Sequence, residues 1–281
     1  MASLKEVKNR INSVRSTLKI TSAMKLVSSA KLRKAQSAIE SMLPYRRSLE
    51  DILRSVSSVC PSPADPGVED LQQGKTAVVA FSSNSSLCGA FNASVIAKAM
   101  KTAAQYDDVE FVAVGRKMAE AARRAGYSQT ADYTKLMANP SYEDAEALAD
   151  SLCSKFASGE YSRVILVYNH FVSTSKQTVQ VEQYLPAAAV SGEGDTGAAG
   201  DFILEPGASE LIGNLLPQVR RIIIYSVMLD SAAAEHAARV IAMQTATDNG
   251  EALLSELTLE YNKGRQQKIT TEILDLLGGT A

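Results

Sequence analysis

The sequence contains no tryptophan, and its 281 residues include three cysteines and two histidines. Cys60, Cys88 and Cys153 stand far apart without a CxxC pair, which excludes a disulfide framework and a cysteine-built zinc site and is typical of a reducing compartment. Two histidines, His170 and His236, are too few for a histidine-based metal cluster. No apolar run is long enough to span a membrane, and the start, MASLKEVKNR, lacks the apolar region of a secretory signal.

Helix breakers are missing from the first part of the chain, with no glycine before Gly67 and no proline before Pro44. Ser3 and Glu6 form a capping box, S-x-x-E. Apolar residues then follow at spacings of three and four, which is a coiled-coil seam: Leu4, Val7, Ile11, Val14 and Leu18. We expect the seam to continue less strictly through Met24, Val27, Ala30, Ala35, Ile39 and Met42. The pattern predicts one helix from residue 3 to about residue 57, which needs a partner helix.

A helical pattern returns at Ser209 and runs nearly to the end, where Gly278 and Gly279 stop it. Pro217 falls inside this run and predicts a kink or a restart of the helix. The simplest way to bury the apolar seams of both terminal helices is to pair them antiparallel.

The middle of the chain has a different hydrophobic pattern, which begins after a linker, CPSPADPG, at residues 60–67. Strands are predicted at 76–83, 109–116 and 162–169, and an edge strand is predicted at 177–186. Helices are predicted between them at 90–106, 117–126 and 141–159. This alternation is typical of a parallel α/β sheet. The predicted fold is a long antiparallel coiled coil with an inserted Rossmann-like α/β domain, divided as residues 1–58, 59–206 and 207–281.

The net charge of −2 conceals a local excess of one sign. Residues 1–54 contain 12 lysines or arginines and four acidic residues, whereas the rest of the chain is acidic. Such a basic arm is either a solvated helix face or the contact surface for an acidic partner.

Three segments resemble nucleotide-binding motifs, and each has a simpler interpretation. Residues 192–197 match GxGxxG, but they lie in a glycine-rich loop without the strand and helix that the fingerprint requires. Residues 74–76, Gly-Lys-Thr, resemble the end of a P-loop but precede a strand instead of following one. The turn at residues 84–92 follows a strand and opens a helix, yet it contains no Lys or Arg, so a structural turn is favoured over an anion site.

Other reactive residue types also favour structural roles. Cys88 is expected to be a small buried hydrophobe, because no His, Lys or Arg adjoins it. Glu235 and His236 are expected at a surface or seam position, and His170 is expected to be structural. We find no triad, paired-carboxylate site or metal constellation in the sequence, which favours a mechanical or interaction protein.

The two ends of the chain resemble one known family. KITSAMKLVSSAKLRKAQ (19–36) resembles the amino-terminal signature of the gamma subunit of F-type ATP synthase. AAAEHAARVIAMQTATDN (232–249) and LTLEYNKGRQQKITTEILDLLGG (257–279) are similar to its carboxy-terminal signature. Residues 82–92 resemble the family turn S-S-D-R-G-L-C-G, with Asn84, Ser85 and Ser86 in place of Asp, Arg and Gly.

The resemblance implies a rotor shaft without catalytic residues or cofactors. The two terminal helices would turn inside a ring of three alpha and three beta subunits, and the α/β domain would sit beside the epsilon subunit and the c-subunit ring. No nucleic acid is implied, and the chain would be peripheral to the membrane. With its initial Met and no transit pattern, we expect the cytoplasmic side of the bacterial inner membrane.

The resemblance also implies roles for individual residues. Those implied to contact beta are Met24, Lys25, Arg265, Gln266, Thr270 and Glu272. Arg239 would pair within the shaft opposite Met24 and Lys25, and Glu205 would lie at the foot near the c ring. Two alternatives stay open at this point, namely a freestanding coiled-coil adaptor and a nucleotide-binding α/β enzyme.

Overall fold

The computed structural model describes residues 3–59, 74–129, 133–186 and 207–278. Its helices are α1 Leu4–Val59, α2 Phe91–Ala103, α3 Arg116–Arg124, α4 Tyr142–Ala157 and α5 Ala208–Gly278. Its strands are β1 Lys75–Phe81, β2 Val109–Val114, β3 Ser128–Gln129, β4 Tyr161–Ser173 and β5 Lys176–Leu185. The predicted elements are confirmed in type and order, and β3 is an additional short strand. Residues 60–67 and 191–201, predicted as linker and loop, lie outside the described residues.

The five strands form one sheet in the order β3-β2-β1-β4-β5. β1 pairs in parallel with β2 and β4, β2 pairs in parallel with β3, and β5 is antiparallel to β4 at the edge. A parallel sheet requires crossover helices on both faces, which explains why β1 is buried at nearly every position. The predicted Rossmann-like arrangement and its edge strand are therefore confirmed, and the structure adds that this edge strand is antiparallel.

Each face of the sheet has its own apolar core. On one face, Val78 and Ala80 of β1 pack with residues of α2 and α3, including Val95 and Met118. On the other, Val79 and Phe81 pack with residues of α4 and α5, including Leu148, Leu152, Ile224 and Met228. A segment of α5 thus serves as one of the covering helices of the α/β fold.

The chain divides into two compact units. The helical unit comprises residues 3–29, which include the first part of α1, and residues 239–278 of α5. The α/β unit comprises the described residues between 30 and 238. Within the α/β unit, α1 and α5 also pack against each other, as Met42 and Leu49 cluster with Val219 and Ile222.

α5 continues through Pro217 without a break, so of the kink or restart predicted there, the restart does not occur. Proline removes one backbone hydrogen bond from the helix. Leu215 and Val219, on either side of it, belong to the apolar cluster shared with α1, and this burial offsets the loss.

Candidate functional site

The helical unit is held together by an apolar seam between two antiparallel helices. Val7 and Ile11 of α1 are buried with Leu257 of α5, and the residues packed against this cluster are Val14, Leu254 and Tyr261. These positions follow the heptad spacing predicted from the sequence. The first turn of α1 begins as predicted, with the Glu6 amide donating to Ser3 Oγ at 3.2 Å.

Two glycines of α5 allow the helices to approach closely. A Cβ at Gly250 would lie 2.7 Å from Leu18 Cδ2, and a Cβ at Gly264 would lie 3.1 Å from Leu4 Cδ2. The step from Leu4 to Leu18 along α1 equals the step from Gly264 back to Gly250 along α5, so both contacts belong to one antiparallel register. At Gly264 the missing side chain leaves room for Leu4 of the same chain.

A polar contact lies within this seam. The hydroxyls of Thr21 and Thr247 are 2.9 Å apart, and the Thr247 hydroxyl donates to the Met243 carbonyl at 2.8 Å. A partly buried polar pair of this kind penalises a shift of one helix along the other, because the two hydroxyls would lose their bond to each other. The apolar spacing in the sequence does not predict this pair, because both residues are polar.

Beyond Leu18 the seam takes a different path from the one predicted. Val27 is 57% exposed and Ala30 is exposed, whereas Thr21 and Ser28 are buried. The Ser28 hydroxyl donates to the Met24 carbonyl at 2.7 Å, which satisfies it inside the seam. The prediction was wrong at Val27 and Ala30, because polar residues maintain the heptad spacing there while these apolar residues face outward. Further along α1 it was right, since Ala35 and Met42 are buried and Ile39 packs against the clusters shared with α5.

The residues predicted to lie at the neck of the shaft, and the arginine predicted to pair opposite them, belong to the helical unit. Met24 and Lys25 of α1 are half-buried, and Arg239 of α5 is buried at 7% exposure. A charged side chain with so little exposure is stable only when its donors are satisfied, so Arg239 is suited to a fixed pairing role more than to a transient contact.

The predicted residues near the end of α5 are all exposed: Arg265, Gln266, Thr270 and Glu272. The Thr270 hydroxyl donates to the Gln266 carbonyl at 2.9 Å, and Lys268 lies 3.6 Å from Glu272. The Arg265 guanidinium and the Gln266 amide are therefore accessible to acceptors on another protein. Glu205, predicted at the foot, lies outside the described residues.

The amino-terminal part of α1 presents unpaired positive charge. Its exposed basic residues are Lys5, Lys8, Arg10, Arg15 and Lys19. None of them forms an ion pair within the described ranges of the chain. Apolar side chains are exposed nearby, including Ile20 and Leu26. A surface that combines uncompensated charge with exposed apolar groups is typical of an interaction surface.

In the α/β unit, the carboxyl edge of the sheet is closed by the chain's own hydrogen bonds. The Ser82 hydroxyl accepts from the Met118 amide at 2.8 Å. Asn84 accepts from the Arg116 amide at 2.9 Å and donates to the Thr134 carbonyl at 2.6 Å. Ligands of open α/β sheets bind at this edge. In this chain the Ser82 hydroxyl and the Asn84 side chain already bond backbone groups there, so they are not available to a ligand.

The reactive residues in the α/β unit have structural surroundings. Cys88 is 1% exposed and packs with Phe91 and Ala234, which confirms the prediction of a small buried hydrophobe. Glu235 is buried, in agreement with a seam position. Within the residues that the structure describes, we find no group of three or more His, Cys, Asp or Glu that could hold a metal ion.

His170 joins the long strand β4 to α5. Its Nδ1 bonds the Asp230 carboxylate, whose other oxygen accepts from the Phe171 amide at 2.8 Å. Burial raises the pKa of Asp230 above its ordinary value, although the bonds from His170 and Phe171 oppose that rise. The predicted structural role of His170 agrees with this contact.

The fold defines a protein with two long paired terminal helices and an α/β domain inserted between them in the sequence. A family model described as ATP synthase matches residues 3–281. The ATP synthase gamma chain of Bacteroides fragilis is 49% identical over 288 residues, covering 100% of this chain and 99% of that relative. The ATP synthase gamma chain of Flavobacterium johnsoniae is 40% identical over 283 residues, covering 99% and 98%.

Solved structures agree in fold. The rotor of Euglena gracilis mitochondrial ATP synthase matches with a TM-score of 0.64 at 18% identity, covering 95% of this chain and 98% of that one. The central stalk and c-ring structure of Tetrahymena thermophila mitochondrial ATP synthase matches with a TM-score of 0.58 at 21% identity, covering 81% and 99%.

The chain belongs to the ATP synthase gamma chain family, which confirms the resemblance found in the sequence. As a gamma chain, it is a non-catalytic and peripheral subunit of a bacterial membrane complex. No helix in the described ranges is long and apolar enough to cross a membrane.

Proposed function

We propose that this chain is the central rotor shaft of an F-type ATP synthase, transmitting torque between the c-subunit ring and a catalytic ring of three alpha and three beta subunits. The observation that carries this proposal is the antiparallel pairing of α1 and α5 in a register set by Gly250 and Gly264, on a chain of the gamma family. Nucleotide chemistry takes place in the ring, and the epsilon subunit binds beside the α/β domain.

The composition of the helical unit suits this task. A shaft has to resist bending and sliding of its helices, and the glycine contacts and the Thr21–Thr247 pair oppose both. Its outer surface has to release each contact at every step of rotation. Exposed charges such as Arg10 and Lys19 form contacts of only about 0–1 kcal/mol each, which are easily exchanged.

Specific residues would make the contact with beta. We assign Met24 and Lys25 to the neck, with Arg239 pairing opposite them on α5. Arg265, Gln266, Thr270 and Glu272 would form the catch for a beta loop. The exposure of these four side chains supports the assignment, and so does the bonding capacity of guanidinium and amide groups toward carboxylate and carbonyl oxygens.

The foot of the shaft would include Glu205, near the polar loops of the c ring. The charge reversal Glu205→Lys should weaken coupling between proton flow and ATP synthesis more than it weakens soluble ATP hydrolysis. Equal loss of both activities would mean that the variant misfolds and that Glu205 has no specific coupling role.

The rotor role implies a location in the cell and a division of the sequence into functional segments. We place it on the cytoplasmic side of the bacterial inner membrane, held there through its partners. We also retain the functional division into a coiled-coil helix at 1–58, an α/β domain with linkers at 59–206 and a second coiled-coil helix at 207–281.

Reconstitution tests the proposal directly. The purified chain is mixed with alpha and beta subunits of the same organism, and the subunit ratio and ATP hydrolysis are measured. We expect one copy of this chain per three beta subunits, hydrolysis only in the assembled complex, and rotation of a bead attached to the α/β domain. Substantial hydrolysis by the pure chain, or no assembly with the ring subunits, would overturn the proposal.

A further inference from the structure

The hairpin of β4 and β5 extends beyond the rest of the sheet. β4 pairs with β1 only as far as Val167, opposite Ala80, whereas its pairing with β5 continues to Ser173 and Lys176. Residues 168–180 therefore form a two-stranded ribbon. A ribbon of two strands is only marginally stable by itself, so contacts with other elements have to fix its position.

Phe171 joins this ribbon to both long helices. Its half-buried side chain packs against a buried cluster that consists of Leu32 and Ala35 of α1 and Ala233 and Ala237 of α5. Within the described residues, neither apolar core of the sheet includes a residue of α1. Phe171 thus gives the sheet an apolar contact with α1 that the two cores do not provide.

Asp230 of α5 bonds the ribbon as well. One of its carboxylate oxygens accepts from the Phe171 amide at 2.8 Å, and the other bonds His170 Nδ1. The pairing of β4 with β1 has ended before these residues, so the carboxylate supplies an acceptor that a neighbouring strand would otherwise supply. At the start of α2, the Phe91 carbonyl accepts from Asn169 Nδ2 at 3.2 Å. Packing and hydrogen bonds together hold the ribbon against three helices.

Stability by itself does not explain the carboxylate of Asp230. Burial raises its pKa above the ordinary value, although the bonds from His170 and Phe171 oppose the rise. The charged carboxylate is therefore less favourable in the folded chain than in the unfolded chain. What it does provide is a fixed geometry, because it bonds two adjacent residues of the ribbon at once.

We propose that Phe171 and Asp230 are positioning residues, which hold the ribbon against α1 and α5 so that torque on the α/β domain passes to both helices. The inference rests on the proposed function, because torque acts on this chain only if it works as a rotor shaft. α5 is also held by the core of the sheet and by Arg221, which donates two bonds of 2.8 Å to Asp150 of α4. Without the ribbon, α1 would be driven through its packing against α5.

The rotational stiffness of the assembled complex tests this inference. The ring of alpha and beta subunits is immobilised, a bead is attached to the α/β domain, and the spread of bead angles is recorded without ATP. Phe171→Ala should widen this spread, whereas Phe171→Leu should stay close to wild type because it keeps an apolar contact. Hydrogen exchange of the ribbon amides should be about tenfold faster in Phe171→Ala, because less packing opposes local opening.

Tyr127→Ala is the matched control. Tyr127 is a half-buried aromatic residue of the same unit, but it packs against Phe111 next to β3, at the opposite edge of the sheet from the ribbon. Its replacement should leave the spread of bead angles unchanged. Equal widening in Tyr127→Ala would mean that any loss of packing softens the domain, and the inference would be wrong.

His170→Ala tests the bond to Asp230 without changing the apolar contact of Phe171. Because the His170 side chain is 46% exposed, this variant should fold even if Phe171→Ala does not. It should widen the spread of bead angles by less than Phe171→Ala does.

The outcomes separate this inference from the proposed function. If the wild-type complex assembles and rotates but bead angles are unchanged in every variant of the ribbon that folds, the ribbon only stabilises the fold. The inference is then wrong and the rotor function stands. If the wild-type chain does not assemble with alpha and beta, the rotor function itself fails.

Discussion

Leu18 occupies the space that a side chain at position 250 would need, since a Cβ on Gly250 would lie 2.7 Å from Leu18 Cδ2 and 3.3 Å from Cγ. Glycine in the middle of a helix costs about 1 kcal/mol relative to alanine. At this position the cost is offset by the close approach of α1, which brings more of the seam into van der Waals contact.

This relationship predicts an order of stability among glycine variants of α5. Gly213→Ala should stabilise the chain by about 1 kcal/mol, because no atom lies within 4 Å of the added methyl group. Gly250→Ala should gain less, and Gly250→Val should lose about 1–3 kcal/mol by overpacking. Denaturant unfolding of the purified variants measures these differences. A gain for Gly250→Ala equal to that for Gly213→Ala would show that Leu18 does not constrain the seam.

The hydroxyl pair in the same seam leads to a second prediction. Thr247→Val should destabilise the helical unit by about 1 kcal/mol, because it leaves the Thr21 hydroxyl without its partner across the seam. The double variant Thr21→Val, Thr247→Val should recover part of that loss, because neither valine carries a polar group. Hydrogen exchange of α5 amides in a double-mutant cycle measures the coupling. Strictly additive losses would mean that the two hydroxyls do not interact.

The sequence correctly predicted which residues of α1 form the first turns of the seam, but the prediction was wrong in the turns that follow. From Leu4 to Leu18 every seam position is apolar, so spacing alone identifies the buried face. Thr21 and Ser28 then occupy buried positions, and Val27, an apolar residue, is exposed. Beyond Leu18, the polarity of the residues therefore predicts the wrong buried face of α1. Strict counting of heptad positions from Leu4 would have identified the face that is buried.

Contacts between distant parts of the chain could not be predicted in the same way. Asn84 bonds the Arg116 amide at the start of α3 and the Thr134 carbonyl in the segment before α4. The sequence identified Asn84 only as a departure from the family turn, and nothing in its local pattern names the two partners. The exposed contact residues at the end of α5 were named through the family resemblance, since their spacing alone does not distinguish them from a solvated helix flank.

Asn84 gives a third prediction. Asn84→Asp should destabilise the α/β unit by about 1–3 kcal/mol, because a carboxylate cannot donate to the Thr134 carbonyl 2.6 Å away. The loss should appear in thermal unfolding followed by circular dichroism. Asn9→Asp, at an exposed position of α1, is the matched control and should have little effect. Unchanged stability in Asn84→Asp would show that the bond to Thr134 contributes nothing.

The raised pKa of Asp230 predicts that the stability of the folded chain depends on pH. Its pKa in the folded chain is raised above 3.8 by burial, so the folded state binds this proton more tightly than the unfolded state. The resulting stabilisation is present below pH 3.8 and is lost as the pH rises through the raised pKa of the folded state. Asp230→Asn, which cannot ionise, should therefore gain in stability relative to wild type across that window. Denaturant unfolding at several pH values measures it, and a difference independent of pH would contradict the prediction.

The last prediction concerns Arg265 and Gln266 in the proposed catch. Both side chains are exposed, so replacing both by Ala should leave the unfolding free energy of the isolated chain within about 0.5 kcal/mol of wild type. In the assembled complex the same change should remove charge-assisted bonds of about 1.5–3 kcal/mol each. ATP hydrolysis should fall and the complex should dissociate faster, while nucleotide binding by isolated beta stays the same. Lys98→Ala with Lys101→Ala, on the exposed face of α2, is the matched control. Wild-type hydrolysis and assembly in the double variant would leave Arg265 and Gln266 as an ordinary solvated flank of α5.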